Sequence, residues 1–342
     1  LNCRGLWSYR AGDGGSILIV VLWTVFFLGL LSVAVGAYVG ARLELARRMN
    51  ERLHAWSAAR SGVEKSLAVL RADTNAWDAV SEPWADNPKD FRDVLCGNGV
   101  YSIFQVVERS DGSSVTNYGV CDEQGRIDLN QLDAFRIELL TALLATEGGL
   151  IREDAARLSR NIQAAGTLPE PGKIERPGVD TGWISPDIPC GPFRSVQELL
   201  WIKGMNREVF RKVRAHVTVG AGSRININTA DGAVLRALFS RGEAGKWDVG
   251  GVDGLVRKIL NFRESGGIFK NPRNLAGDFD SRGELSGEER MQLNGASRFV
   301  SVRSDRFRGY VRGGCKGRAT SLLSVEFVWN RKQNRIEYWH ED

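Results

Sequence analysis

The chain has little of what metal- and redox-dependent proteins rely on. Its 342 residues include three His and five Cys. Cys3, Cys96, Cys121, Cys190 and Cys315 never come within the Cys-x-x-Cys spacing of a zinc scaffold. His54, His216 and His340 are scattered, and no Ser/His/Asp set has a persuasive context, so we expect no enzyme. Charge of one sign is also lacking. With 46 Lys+Arg against 41 Asp+Glu the net charge is +5, which excludes a polyanionic or polycationic tail protein. Hydrophobic residues at 43% exclude wholesale disorder. No proline precedes Pro83, and six of the nine lie between Pro169 and Pro192, so the first eighty residues are free of helix breakers. After Arg42 no second long uncharged run exists, which excludes a polytopic membrane protein.

What is there begins with one such run. Ser16 to Ala41 carries no charge, and about 39 Å of helix would cross a bilayer core of about 30 Å with some tilt. A secretory signal fits poorly, because its apolar region is about 7–15 residues and ends in a small-x-small site. Two arginines precede the span (Arg4, Arg10) and four follow it (Arg42, Arg47, Arg48, Arg52), a count that alone places the large part in the cytoplasm. Beyond the span, Met49, Leu53, Trp56, Val63, Leu67 and Leu70 recur at helical spacing, so we expect one helix from about Ser16 to about Arg71 with that stripe packed on something.

The rest divides by character. Val100–Glu108 and Val115–Val120 flank Asp111-Gly112 and read as a hairpin. Leu322–Trp329 and Arg335–Trp339 read as a second, around Lys332-Gln333-Asn334. One antiparallel sheet drawn from both ends of the chain, packed on the long helix, is the simplest arrangement. The helical sequence between the hairpins repeats itself. Arg126-Ile127-Asp128-Leu129-Asn130 matches Arg224-Ile225-Asn226-Ile227-Asn228, and Phe193-Arg194-Ser195 with Leu199 echoes Phe269-Lys270-Asn271 with Leu275. Asn side chains cap helices and bond turns, and Asn228 or Thr229 is expected to cap the helix that follows. Asp278, Asp280 and Glu284 alternate as oxygen ligands do in calcium loops, the one cofactor candidate in the chain.

Trp201-Ile202-Lys203-Gly204-Met205-Asn206 resembles the turn of helix-hairpin-helix DNA-binding modules, where a glycine turn presents backbone N–H groups to phosphate. Six basic residues against two acidic between Phe193 and Ala215 agree with that. The departures are Asn206 in place of the second Gly, and Asp253 in the corresponding Gly250-Gly251-Val252-Asp253-Gly254. The alternative function is therefore a membrane-anchored DNA-binding receptor, but a sheet from both termini argues against it and no nucleic acid is expected.

The full order of features resembles the general secretion pathway protein K family, the large minor pseudopilins of type II secretion. The motifs are a basic leader ending in Gly15, SILIVVLWTVFFLGLL, WSAARSGVEKSL, GRIDLN, FRSVQELLWIKGM, RININTA and the hairpin ending near Trp339. The resemblance implies an α+β fold: a pilin-like long N-terminal helix packed on an antiparallel sheet, with a large inserted all-α domain of two helix-hairpin-helix/SAM-like units. The implied division is a leader over 1–15, the transmembrane part of the helix over 16–41, a first pseudopilin part over 42–125, the insert over 126–300 (units 126–222 and 223–300), and closing strands over 301–342. It implies processing and methylation by prepilin peptidase, with cleavage between Gly15 and Ser16. Val20 stands where most pilins have Glu. A bilayer carboxylate costs about 2.5–3.5 kcal/mol and is useful only against a neighbour's terminal ammonium, which a tip subunit does not meet.

The implied site is the inner membrane, single-pass, with the globular part periplasmic, against the arginine count. The implied partners are the minor pseudopilins I and J, met through Leu53 and Trp56, the inner-membrane assembly platform and the lipid bilayer. The implied role is initiating the pseudopilus and exporting folded proteins. Calcium is known in the family. Cleavage would leave Cys96, Cys121, Cys190 and Cys315 in an oxidising compartment. Of three pairings, Cys96–Cys121 flanking the first hairpin is favoured, leaving Cys190–Cys315.

Overall fold

The computed structural model describes residues 14–108, 114–167, 191–240, 249–279 and 285–342. Helix α1 (Gly14–Ala72) is unbroken through 59 residues, about 88 Å. It passes Gly62 without interruption, because the helix-compatible run around it supplies every i→i−4 bond and no proline intervenes. Its first two-thirds stand clear of the rest: from Ile17 to Leu53 the large apolar side chains are exposed.

After α1 come α2 (Pro88–Phe91), β1 (Val94–Cys96), β2 (Gly99–Glu108), β3 (Ser114–Asn117) and β4 (Cys121–Asp122). The chain returns to the sheet only with β9 (Arg306–Cys315), β10 (Arg318–Asn330) and β11 (Arg335–Glu341). The order is β1-β2-β9-β10-β11, with β3 on β2 and β4 on β9, all antiparallel. Both expected hairpins are present, β2 with β3 and β10 with β11. The turn at Asp111-Gly112 lies outside the described residues. The central strand β9 was not expected. Its Arg-Phe-Arg-Gly-Tyr-Val-Arg-Gly-Gly alternates well, but three glycines disguise it as loop.

Between β4 and β9 run β5 (Ile127–Asp128), α3 (Ala134–Thr146), α4 (Arg152–Gly166), a 3₁₀ turn (Val196–Trp201), α5 (Arg207–Val213), β6 (Val217–Thr218), β7 (Ile225–Asn226), α6 (Gly232–Phe239), α7 (Val249–Glu264), α8 (Leu275–Phe279), α9 (Gly287–Gly295) and β8 (Val300–Ser301). The repeat is visible here. β5 pairs in parallel with β6, and β7 pairs in parallel with β8. Asp133 caps α3 and Asp231 caps α6, each 98 residues apart like the motifs before them. Asp231, rather than Asn228 or Thr229, is thus the cap. Gly250 to Gly254 lies inside α7, so the second unit has a helix where a hairpin turn was expected.

Among the described residues, the buried apolar side chains form two clusters, one within the helical segment and one between α1 and the sheet.

Candidate functional site

The seam between α1 and the sheet is built from small residues. Ala55, Ala58, Ala59 and Gly62 on the helix face Gly99 and Tyr101 on β2 and Val311 and Gly313 on β9. A Cβ on Gly99 would lie 2.6 Å from that of Ala58, and one on Gly62 would lie 2.6 Å from Val311. A Cβ on Gly313 would overlap the backbone of Ala55 and Ala59. Close approach of helix to strands therefore requires Gly99 of β2 and Gly313 of β9. This explains the Ala-Ala-Arg-Ser-Gly stretch of the helix. Gly309 is covered by the ring of Phe327, its cross-strand partner.

The seam splits the expected stripe. Val63, Leu67 and Leu70 are buried in it, and the buried face then continues through Ala59, Ala58 and Ala55. Leu53 is 60% exposed and Trp56 39%. With Leu45 and Met49 they form a row of exposed side chains at spacings of four, four and three. Trp56 Nε1 donates to Glu341 Oε1 at 3.2 Å, Trp339 Nε1 donates to the same oxygen at 2.7 Å, and the Arg60 guanidinium lies 5.5 Å from the Trp339 ring. The edge strand β11 is thereby clasped to the helix beside the open row.

At the far end of α1 a buried polar junction ties the two clusters together. Arg331 donates to both Asp78 oxygens (2.8 and 3.0 Å) and to Asp73 (3.1 Å). Asp122 Oδ2 accepts from Asn226 Nδ2 (3.0 Å), Thr229 Oγ1 (2.6 Å) and Ser304 Oγ (2.6 Å). Burial raises the Asp78 carboxyl to about 6 against the charge and hydrogen bonds of Arg331, and it raises Asp122 despite those donors. Asp73, Asp78 and Glu82 bring carboxylate oxygens within 4.8 Å of one another. The Arg331 guanidinium already supplies the cation there, and Glu82 accepts from Ala79 N and Trp84 Nε1. Beside the junction, Glu123 is buried between Arg126 and Arg308. Burial would raise its carboxyl, but the two arginines outweigh that and hold it at about 2.

The repeated Asn residues act as clamps. Asn130 accepts from Phe193 N and donates to Phe193 O (2.7 and 2.9 Å), and Asn228 does the same to Phe269 (2.9 Å for both). The two echoes found in the sequence are thus the two halves of one contact, made twice. Sequence reasoning missed Asp78, Asp122 and Arg331, which lie in segments without pattern.

The remaining candidates divide. Gly15 and Ser16 lie in the first turn of α1. Asp278 accepts from Lys270 N (2.7 Å) and Asn271 N (3.1 Å), while Asp280 and Glu284 lie outside the described residues. Cys96, Cys121 and Cys315 are free thiols, and Cys190 lies outside the described residues. The Cys96–Cys121 bridge is not formed. Cys96 is level with Gly99 and Cys315, whereas Cys121 is level with Arg308, seven residues along β9. That is about 23 Å along a strand, and a disulfide needs Cα atoms within about 7 Å.

No family profile and no curated protein matches this sequence. Among solved structures the chain is similar to one in the crystal structure of the GspK-GspI-GspJ complex from the enterotoxigenic Escherichia coli type 2 secretion system. The TM-score is 0.54 at 14% identity, covering 89% of this chain and 99% of that chain. The fold is therefore shared along nearly the whole length: a long N-terminal helix with an antiparallel sheet, mixed α+β, consistent with a pilin-like fold. Among the described residues, one helix is long and apolar enough to cross a membrane.

Proposed function

We propose that this chain is a minor pseudopilin of the K type, a structural subunit rather than an enzyme. It sits at the tip of a type II secretion pseudopilus and helps initiate its assembly for export of folded proteins. The observation that carries this is the fold likeness over 89% of the chain to a component of a complex with two other pseudopilins. The apolar start of α1 is the single-pass inner-membrane anchor, with the remainder periplasmic. Prepilin peptidase cleaves between Gly15 and Ser16. The I and J minor pseudopilins dock along the open row Leu45–Met49–Leu53–Trp56, and the assembly platform receives the membrane segment. Calcium at Asp278, Asp280 and Glu284 belongs to this reading.

The test uses the full chain in its membrane. Mass spectrometry should find Ser16 at the mature terminus. Co-purification from detergent should bring down both minor pseudopilins. Leu53→Gln with Trp56→Gln should weaken that capture far more than Arg47→Glu with Arg48→Glu. Each buried apolar side chain contributes about 1.5–3 kcal/mol, whereas an exposed charge pair contributes about 0–1 kcal/mol. A terminus near Ala41, or no capture of either partner, would overturn the reading.

A further inference from the structure

The four arginines that follow the apolar run divide between two sides of α1. Glu44 and Glu51 precede Ala55 and Ala58 at spacings of seven, four and three, on the line that enters the seam. Arg48 pairs with Glu44 at 3.0 Å, and Arg47 stands one turn before Glu51. Arg42 and Arg52 differ. Arg42 is seven residues before Met49, and Arg52 is seven residues after Leu45, so both lie on the side of the exposed row. No residue three or four positions from either is acidic. Arg42 donates to the Tyr38 hydroxyl at 3.1 Å and lies 5.1 Å from its ring, and these neutral contacts leave its charge uncompensated. Arg52 is exposed. The carboxylate at the outer end of the row, Glu341, accepts from the indoles of Trp56 and Trp339.

The open side thus presents Leu45 and Met49, 49% and 66% exposed, bracketed by two cations about 15 Å apart along the helix. A bilayer does not fit that arrangement. Its headgroup layer adds about 5–8 Å beyond the hydrocarbon on each side, whereas Arg52 lies about 16 Å past Ala41. Lipid would also surround the helix rather than favour one side of it. A second copy of this chain would bring the same arginines face to face. A partner helix lying alongside α1 fits both features: its apolar stripe covers the row, and its carboxylates, about three turns apart, pair with the two guanidinium groups.

We propose that the open side of α1 binds an acidic amphipathic helix whose carboxylates bracket its apolar stripe and meet Arg42 and Arg52. The proposal rests on the pseudopilin reading above and names the chemistry of the partner's docking helix. Two of the arginines that count against a periplasmic globular part then serve a partner rather than the orientation of the anchor.

The test keeps the full chain in detergent, co-expressed with the minor pseudopilins I and J. Capture of either by the wild type checks the pseudopilin reading by itself. Arg42→Glu with Arg52→Glu should then cut capture by about tenfold or more, because like charges would face each other. Arg47→Glu with Arg48→Glu should leave it within about threefold. Added salt should weaken wild-type capture. A benzophenone photo-crosslinker in place of Met49 should join to a partner peptide that carries Asp or Glu, and reversing those acids to Lys should restore capture by the Arg42→Glu, Arg52→Glu variant. Circular dichroism melting, unchanged in these variants, separates docking from folding. Wild-type capture untouched by Arg42→Glu with Arg52→Glu would overturn this proposal alone, and so would a crosslink to lipid, to a second copy of this chain or to a helix without acids. Absence of wild-type capture would remove the pseudopilin reading and this proposal with it.

Discussion

At the scale of single residues, most of the specificity lies in polar side chains that finish backbone hydrogen bonds. Asn228 is 1% exposed and satisfies both the N–H and the C=O of buried Phe269. Removing it leaves two backbone groups unpaired, at about 1–3 kcal/mol each. Asn130 does the same work for Phe193 but is only partly buried, so water can replace it. Asn228→Ala should therefore cost about 2–4 kcal/mol in denaturant unfolding, and Asn130→Ala distinctly less. Equal losses would mean that the two clamps are not distinguished by burial.

At the scale of elements, the shape of each turn decides what the neighbouring helices can do. The α4–α5 connection depends on Gly204, whose φ of +94° a β-branched residue adopts only with strain. Gly204→Val should lower the melting temperature clearly, whereas Lys203→Ala with Arg207→Ala should leave it near wild type. A Gly204→Val protein as stable as wild type would mean that the turn re-forms with negative φ.

Much at this scale was legible. The unbroken α1 followed from absent proline and apolar spacing, the outer hairpins from β-rich runs around turn residues, and the repeat from two matching pentapeptides. What was not legible depends on contact across the fold. The strand β9 was hidden because its glycines are dictated by α1 lying on Gly313 and Phe327 lying on Gly309. The stripe on α1 was legible as a spacing but not as two separate faces, because alanines give the closest approach to the sheet and only the sheet reveals that Leu53 and Trp56 lie off that contact. Cys96 and Cys121 are close in sequence around a hairpin yet at opposite ends of β9. The junction of Asp78, Asp122 and Arg331 joins segments up to 253 residues apart, and no local pattern marks them.

At the scale of the whole molecule, that junction and its neighbours set how stability follows pH. Asp78, fully buried, titrates at about 6 when folded instead of 3.8. Its folded pKa is raised, so its contribution is fully present below about 3.8 and is lost as pH rises through about 6. Two pKa units correspond to about 3 kcal/mol. Asp122 and Asp128 are raised by burial too and act in the same direction. His216 is held above its ordinary 6.5: burial opposes its charge, but Asp231 at 2.6 Å outweighs burial. Its contribution is present below 6.5 and fades as pH rises further. Glu123 is opposite. Its pKa of about 2 against 4.5 gives stability that is present above 4.5 and is lost as pH falls toward 2. The Asp231 carboxyl, also lowered by His216 against burial, joins it on the acid side. Stability should therefore rise as pH falls from 8 to about 5 and drop again below about 4. Asp78→Asn should remove much of the rise between pH 7.5 and 5 while leaving the acid limb in place, because that limb belongs to Glu123 and Asp231. Thermal melting of the detergent-solubilised chain at pH 2.5, 3.5, 5, 6 and 7.5 measures both limbs. A maximum at pH 7.5 in wild type, or a slope untouched by Asp78→Asn, would mean that Arg331 holds Asp78 ionised throughout and that the junction does not sense pH.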